Sequence, residues 1–343
     1  MHIKAIDVQQ YRKLQHIRLD ELRKVNVFVG NNNSGKTSLL EAIQLLSNPH
    51  SAIDFRQIAL QRERHTNYRT AADVPEAIQW MFTQGRNHSS EPIQLAIEME
   101  DRSEYEWQLE EKEYMVIRKD DEYMEDHYEI LEERIEREQQ VRVYQNGQLI
   151  ENHLYGRQEI TREDRDGLQS NLLFPSRFVS AVDYKVMALS IRMLSRAMRE
   201  GRLSPVLEAL RTFDSNIEDL KIIPNENNRN TVYVQHATYG IAPIMTFGDG
   251  MRKVLYLALA IMEAEGGVLL VDELEIGIHT SILSDTLRWI VEFCGKYDVQ
   301  LFATTHSLEA VDSIIEACQQ QLDELTMFRL EKENVKRVEG KTL

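Results

Sequence analysis

Gly30-Asn31-Asn32-Asn33-Ser34-Gly35-Lys36-Thr37 has the spacing GxxxxGKT, in which a glycine-rich loop turns its backbone N–H groups inward to cradle phosphate. The flanks agree with it. Val25-Asn26-Val27-Phe28-Val29 is β-branched and aromatic, as a buried strand is, and residues 38–46 carry the apolar spacing of a helix. Strand, loop and helix in that order bring a helix N-terminus and the loop amides to bear on one anion. In this arrangement Asn31, Asn32, Asn33, Ser34, Gly35 and Ser38 border the phosphates, Lys36 reaches the β- and γ-phosphates, and the Thr37 hydroxyl ligates Mg²⁺. The expected ligand is a nucleoside triphosphate, taken here as ATP.

The 343 residues suffice for one large α/β domain or two modest ones. No run of eighteen apolar residues occurs, and the N-terminus enters a strand pattern at once without the apolar stretch of a signal peptide. A cytoplasmic protein without a membrane partner is expected. Two cysteines, Cys294 and Cys318, stand far apart in helical patterns and read as buried reduced thiols. Forty basic against fifty-six acidic residues leave a net charge of −16, and residues 91–140 hold nineteen of the acids against six bases. That segment repels phosphate backbones and is no main contact for nucleic acid. It suits either a basic partner or a solvated face.

Residues 3–9 and 17–20 read as a β-hairpin-like pair ahead of the loop. Residues 75–82 follow a short helical pattern. From 93 to 151 the period changes to two: Ile93, Leu95, Ile97 and Met99 alternate with polar residues, as do Tyr105, Trp107 and Leu109. Asn146-Gly147, between the strand patterns at 141–144 and 149–150, is a strong hairpin signal. An antiparallel sheet inserted between two halves of an α/β core is the expected result. The charged run 120–138 reads equally as a solvent-exposed helix or a mobile arm. A strand is expected at 178–182, then helices at about 184–200 and 204–213, the second started by Ser204 as cap and Pro205 in the first turn. Three short strands follow at 217–223, 231–236 and 241–246. The expected divisions are 1–90, the half with the glycine loop; 91–172, the acidic β insertion; 173–216, a helical subdomain; and 217–343, the second half of the core.

That second half completes the chemistry. Gly267-Val268-Leu269-Leu270-Val271-Asp272-Glu273 is an apolar strand ending in two carboxylates. In P-loop ATPases this strand is expected beside the loop's own strand, so that Asp272 reaches Mg²⁺ through water and Glu273 polarises the attacking water. Residues 299–307 form another buried strand, ending in Thr304-Thr305-His306. An amphipathic helix over 280–293 has the length a right-handed crossover needs. Glu273 and His306 are therefore expected at the C-terminal ends of neighbouring parallel strands, where open α/β sheets bind ligands. Gly248-Asp249-Gly250 opens a further helix through Leu255 and Leu259 and forms a second anion site. One chain has no need of two. The turn makes sense if it closes over ATP held by another copy.

Glycine loop, helix-opening Gly-Asp-Gly, strand with Asp-Glu, strand with Thr-Thr-His: in this order the chain resembles ABC-type ATPases of the branch that includes SMC and RecF-like DNA-repair ATPases and the OLD-family ATPases. The resemblance covers residues 1–47 and about 216–318. It implies an α/β P-loop head with mixed sheet, antiparallel β insertion and small helical subdomain. Lys36 and Thr37 then hold phosphate and metal, Asp272 is the Mg²⁺-linked acid, Glu273 the catalytic base and His306 the switch histidine. Gly248, Asp249 and Gly250 resemble the signature motif acting in trans, within a homodimer or larger homo-oligomer. Glu275-Ile276-Gly277-Ile278-His279 resembles the dimer-facing loop in its OLD-like form. Two departures stand out. Gly248 occupies the place of the usual signature serine, so backbone amides or Asp249 must substitute. The glutamine-loop residue has only Gln57 as candidate. No heptad arm or Cys-x-x-Cys hook occurs. The nuclease domain of an OLD protein would come past the last strands at about 325–340; here the effector is expected on another chain.

The chain thus resembles the ATPase subunits of two-component prokaryotic defence systems such as PARIS or Septu. The implied function is a Mg²⁺-dependent ATPase that acts as sensor or scaffold in anti-phage defence and controls a separate effector nuclease. The alternatives are a RecF-like repair ATPase that binds DNA as a dimer, which the charge does not favour, and an ATP switch that does not hydrolyse.

Overall fold

In a computed structural model of the chain, the residues described are 2–48, 55, 58–59, 74–82, 91–119, 131–155, 173–224, 227–331 and 334–338. Gln57 lies outside them. The chain divides into two compact units: one comprises residues 1–5, 19–44 and 174–343, the other 6–18 and 45–173.

Along the chain, strands β1 (Ile3–Tyr11), β2 (Leu14–Leu19) and β3 (Val25–Val29) lead into helix α1 (Lys36–Ser47). After the short helix α2 (Val74–Gln79) come β4 (Ile93–Met99), β5 (Glu104–Lys119), β6 (Leu131–Gln145) and β7 (Gln148–Tyr155). These join the first hairpin in a six-stranded sheet of order β2-β1-β4-β5-β6-β7. Strands β1 and β2, expected with the P-loop half, thus share a sheet with the strands of the expected insertion. Alternation decides which face is buried: Ile93, Leu95, Ile97 and Met99 point inward on β4, opposite Leu109, Trp107 and Tyr105 on β5. The Asn-Gly turn forms as expected, with Asn146 and Gly147 both at positive φ (49° and 77°).

Within the charged run, residues 131–138 are strand, which overturns both the helix and the mobile arm for that part; residues 120–130 lie outside the described set. The physical reason is cross-strand pairing. Arg137 binds Glu113 at 2.8 Å and Arg142 binds Glu110 at 2.9 Å across the β5–β6 ladder, so opposite charges face each other instead of repelling along one helix.

In the other unit, β8 (Ser176–Val179) lies two residues earlier than expected, followed by α3 (Met187–Arg199) and α4 (Leu203–Phe213). Ser204 is not the cap of α4. Arg202 holds that position without a side-chain bond, and Pro205 sits two residues deeper in the first turn, where its missing N–H is still not needed. Strands β9 (Ile217–Pro224), β10 (Asn230–His236) and β11 (Gly240–Pro243) form a small antiparallel sheet, and a 3₁₀ turn at Ile244–Phe247 replaces the end of the third expected strand. Then come α5 (Gly248–Glu263), β12 (Val268–Val271), α6 (Leu283–Lys296), β13 (Gln300–Thr305), α7 (Leu308–Ala317), β14 (Leu325–Glu331) and β15 (Asn334–Val338).

The central sheet has the order β15-β14-β3-β13-β12-β8, parallel throughout except at β15. Strands β12 and β13 are buried along their whole length, as a sheet covered on both faces requires. One expectation fails here. The strand ending in Asp272 does not lie beside the loop's strand, because β13 is interposed between them. The registers Val271↔Ala303 and Ala303↔Val27 nevertheless level the three strand ends, so the loops that follow all emerge on one edge. Buried amides hold this register. Asn26 donates to the carbonyls of Arg23 and Leu301, and Gln300 bonds both the N–H and the carbonyl of Ile3. Both cysteines are free and buried, and burial raises their thiol pKa values, that of Cys318 to about 11.

Phe28, Phe302 and Phe328 stand side by side on three adjacent strands, with ring centroids 6.1 and 6.0 Å apart. Phe302→Ala removes the outer ring of this row from a site with no solvent exposure and is expected to destabilise the protein by about 3–5 kcal/mol. The shift of the denaturant midpoint checks this. A change under about 1 kcal/mol would mean the site collapses to fill the space.

Candidate functional site

The levelled strand ends collect the expected residues. Thr37, in the first turn of α1, donates to both carboxylate oxygens of Asp272 at 3.1 Å. Asp272 follows β12 directly and also accepts from the Thr304 hydroxyl at 2.7 Å. The same hydroxyl accepts from the Glu273 N–H at 2.8 Å, and the Leu274 N–H donates to the Thr304 carbonyl at 3.0 Å. Thr304 therefore stitches the exit of β12 to β13 with side chain and backbone at once. Glu273 takes φ = 52°, a left-handed conformation unfavourable for a residue with a long side chain by about 1–3 kcal/mol. The stitching holds it there.

His306 leaves β13 between that strand and α7, whose N-terminus Ser307 caps by accepting from the Ala310 N–H. The His306 Nδ1 lies 3.6 Å from Glu273 Oε1 and 3.5 Å from Glu275 Oε1. The expectation that Glu273 and His306 stand at the ends of neighbouring parallel strands is met.

Lys36 is buried and folds its Nζ onto the loop itself, donating to the carbonyls of Gly30 at 2.8 Å and Asn31 at 3.0 Å. Burial lowers its pKa, while Glu273, Asp272 and Glu275 counter that shift by attraction. Asn31, Asn32 and Asn33 are exposed, Gly35 is half-buried and Ser38 buried. The Ser34 hydroxyl is buried without a hydrogen-bond partner. A buried orphan donor in a loop with amides exposed around it suits an anion with many oxygens. The oxygen pair from Thr37 and Asp272 suits a hard cation such as Mg²⁺, which is bound by one or two protein oxygens together with phosphates and water. The residues fit both groups.

The Gly248-Asp249-Gly250 turn opens α5 as expected, and no side chain caps its first N–H groups. Gly248 has φ = 87°, so a serine in its place would be strained, which explains the departure from the usual signature. The Asp249 carboxylate is held at 2.9 Å by Arg252, which also donates to the Lys185 carbonyl.

Several residues of the site carried no sequence signal. Lys253, one turn into α5, has no solvent exposure and donates to the Ile276 carbonyl at 2.6 Å. Burial pushes its pKa down to about 8 against the attraction of Glu275, Glu273 and Asp272. Tyr184 presses on the same loop: a Cβ at Gly277, whose φ is 83°, would meet the tyrosine hydroxyl at 2.5 Å. Thr304 was visible only as part of a strand end.

A parallel sheet with a glycine loop after a central strand, two acids after a second and a histidine after a third defines a P-loop ATPase head. The chain belongs to the family described as "AAA domain, putative AbiEii toxin, Type IV TA system", which matches residues 25–312. Over 335 residues it is 24% identical to the ATP/GTP phosphatase of Helicobacter pylori, covering 90% of this chain and 86% of that one. A shorter match of 87 residues is 39% identical to the DNA replication and repair protein RecF of Heliobacterium modesticaldum, covering 24% of this chain and 23% of that protein. An SMC head solved with the C-winged helix domain of ScpA shares the fold, with a TM-score of 0.52 over 98% of both chains at 12% identity. The chain thus belongs to an AAA-type ATPase family and has the fold of an SMC head. Among the described residues, no helix is long and apolar enough to cross a membrane.

Thr304→Val keeps shape but removes the hydroxyl that both acid residues use. Turnover is expected to fall about ten- to a hundredfold through misplacement of Glu273, with nucleotide affinity retained. Steady-state ATPase assays beside an equilibrium nucleotide titration check this, and unchanged turnover would show that the strand ends hold the acid unaided.

Proposed function

We propose that this chain binds ATP with Mg²⁺ and hydrolyses it at sites shared between two copies, and that it acts in the cytoplasm as the sensor or scaffold subunit of a defence system whose effector nuclease is a separate chain. The observation that carries the catalytic part is the linkage of Thr37, Asp272, Thr304 and Glu273 beside His306. Asn31, Asn32, Asn33, Ser34, Gly35 and Ser38 would border the phosphates, and Lys36 would exchange its two backbone carbonyls for β- and γ-phosphate oxygens. Thr37 and Asp272 would hold Mg²⁺, which when bound neutralises charge on the phosphates. Of the two adjacent acids, Glu273 is the one whose carboxylate lies beside His306, 3.6 Å from its Nδ1, and it would take the proton of the attacking water. His306 would donate to the terminal phosphate.

The defence role is supported by the family's description, which names a toxin–antitoxin setting. Action on DNA in the manner of a RecF protein draws on a match to about a quarter of such a protein, and the net charge of −16 weighs against it.

Glu273→Gln is expected to keep nucleotide binding and lose turnover by about 10²–10⁴-fold, because an amide accepts a hydrogen bond from water but cannot take its proton. Phosphate release measured under saturating nucleotide decides it; turnover within a few-fold of the parent would place the base elsewhere.

Sharing of sites has its own test. Lys36→Ala removes the phosphate cation, and Gly250→Glu sets a carboxylate at the uncapped N-terminus of α5, where it helps the helix but repels phosphate. Each variant alone should be inactive. In mixed dimers one composite site carries both lesions and the other carries neither, so activity should partly return on mixing. Mixed dimers that form and stay inactive would refute shared sites.

A further inference from the structure

His306 has two acids beside it, and the roles proposed above use only one. Glu273 must turn its carboxylate to water, so it cannot also hold the histidine ring in place. Glu275 has no such duty. Its side chain is 14% exposed, its Oε1 lies 3.5 Å from His306 Nδ1, and the same oxygen accepts from the His306 backbone N–H at 3.4 Å. Both contacts are long, as catalytic contacts often are before a substrate tightens them.

The backbone brackets this carboxylate on both sides. Before it, the Glu273 and Leu274 N–H groups are bound to Thr304. After it, the Ile276 carbonyl takes the buried ammonium of Lys253, and Gly277 packs on the Tyr184 hydroxyl. Within the loop, Ile276 N–H bonds the Glu273 carbonyl and Ile278 N–H bonds the Glu275 carbonyl, both at 3.1 Å. Glu275 cannot drift without breaking one of these.

A carboxylate kept only for stability would have both oxygens satisfied. Here Oε2 is buried and accepts no hydrogen bond, an arrangement that weakens the fold. Glu275 also contributes to the attraction that keeps charge on both buried lysines, Lys36 in the glycine loop and Lys253 in α5, and it is the largest such contribution at Lys253. Like Glu273, it acts on the phosphate loop, the helix of the Gly-Asp-Gly turn and the histidine together, but without a proton to take from water.

We propose that Glu275 is a positioning residue that acts through His306: held between Thr304 and Lys253, its carboxylate orients the imidazole by Nδ1, leaves Nε2 for the terminal phosphate, and frees Glu273 for water. The proposal rests on the catalytic reading given above. It adds to the loop after the two acids a function within its own subunit, distinct from any contact with a second copy.

The test is a double-mutant cycle on the full chain, with steady-state kcat and KM for MgATP and an equilibrium nucleotide titration for each protein. Glu275→Gln keeps the shape and an acceptor for the His306 N–H but removes the charge. Alone it should lower kcat about tenfold with KM and nucleotide affinity within about threefold. On a His306→Ala background it should change kcat less than about twofold, because the group through which it acts is gone. A merely structural glutamate would give the same loss in both backgrounds, and that result overturns the proposal, as does a parental kcat in Glu275→Gln. Should thermal melting show the amide variant unfolded, Glu275→Asp, which withdraws the charge by one methylene, takes its place in the cycle, and the same losses of kcat support or overturn the proposal. If His306→Ala by itself turns over like the parent, the catalytic reading of His306 has failed. That outcome is separate from a failure of Glu275 in a protein where His306 matters.

Discussion

The Thr304 hydroxyl accepts from the backbone of Glu273 and donates to the carboxylate of Asp272, so one buried oxygen positions two adjacent acids. Asp272, fixed from that side, takes Thr37 on its other, and this joins the element after β3 to the element after β12 although β13 separates those strands. Glu273, fixed through its N–H, can keep a left-handed backbone that no neighbouring sequence preference favours. Thr304 itself has no solvent exposure, so these bonds act where water does not compete and charge interacts over longer range.

Around this stitch the fold concentrates charge that a stability argument alone would remove. Lys36 and Lys253 are buried, and the same three carboxylates, Asp272, Glu273 and Glu275, offset the burial of both. Replacing such buried ions by packed apolar groups is often neutral or stabilising. Their presence at one edge, together with a strained glutamate and an orphan serine hydroxyl, marks the place where the chain departs from its own packing rules. Elsewhere the same unit is conventional: an apolar sheet, amphipathic helices, and buried amides such as Asn26 and Gln300 fully bonded.

The acidic unit handles charge differently. Its long strands place acids and bases opposite one another, as in Arg137 with Glu113 and Arg142 with Glu110, and keep Trp107, Leu109, Val141 and Val143 on the covered face. Glu111 is the exception: partial burial raises its pKa, eased by a hydrogen bond from Gln139. A surplus of negative charge is tolerable in a sheet because alternate residues face solvent and the ladder supplies partners from another strand. On a single helix the same run would repel along one face.

By itself the sequence determined what depends on near neighbours. The glycine loop with its strand and helix, the Asn-Gly turn, the period-two strands of the acidic unit and the apolar strands ending in Asp272-Glu273 and Thr304-His306 all follow from spacing and local backbone preference. Tertiary structure decided what depends on residues far apart. The interposition of β13 beside the P-loop strand, the pairing of the first hairpin with strands ninety residues later, the strand at 131–138, and the contacts of Thr304, Lys253, Tyr184 and Glu275 appear only once the sheet order is known. The reason is physical: a hydroxyl or an ammonium gains its function from the partner it meets. Lys253 reads as one more charge in an amphipathic helix until the fold buries it against the Ile276 carbonyl, twenty-three residues away.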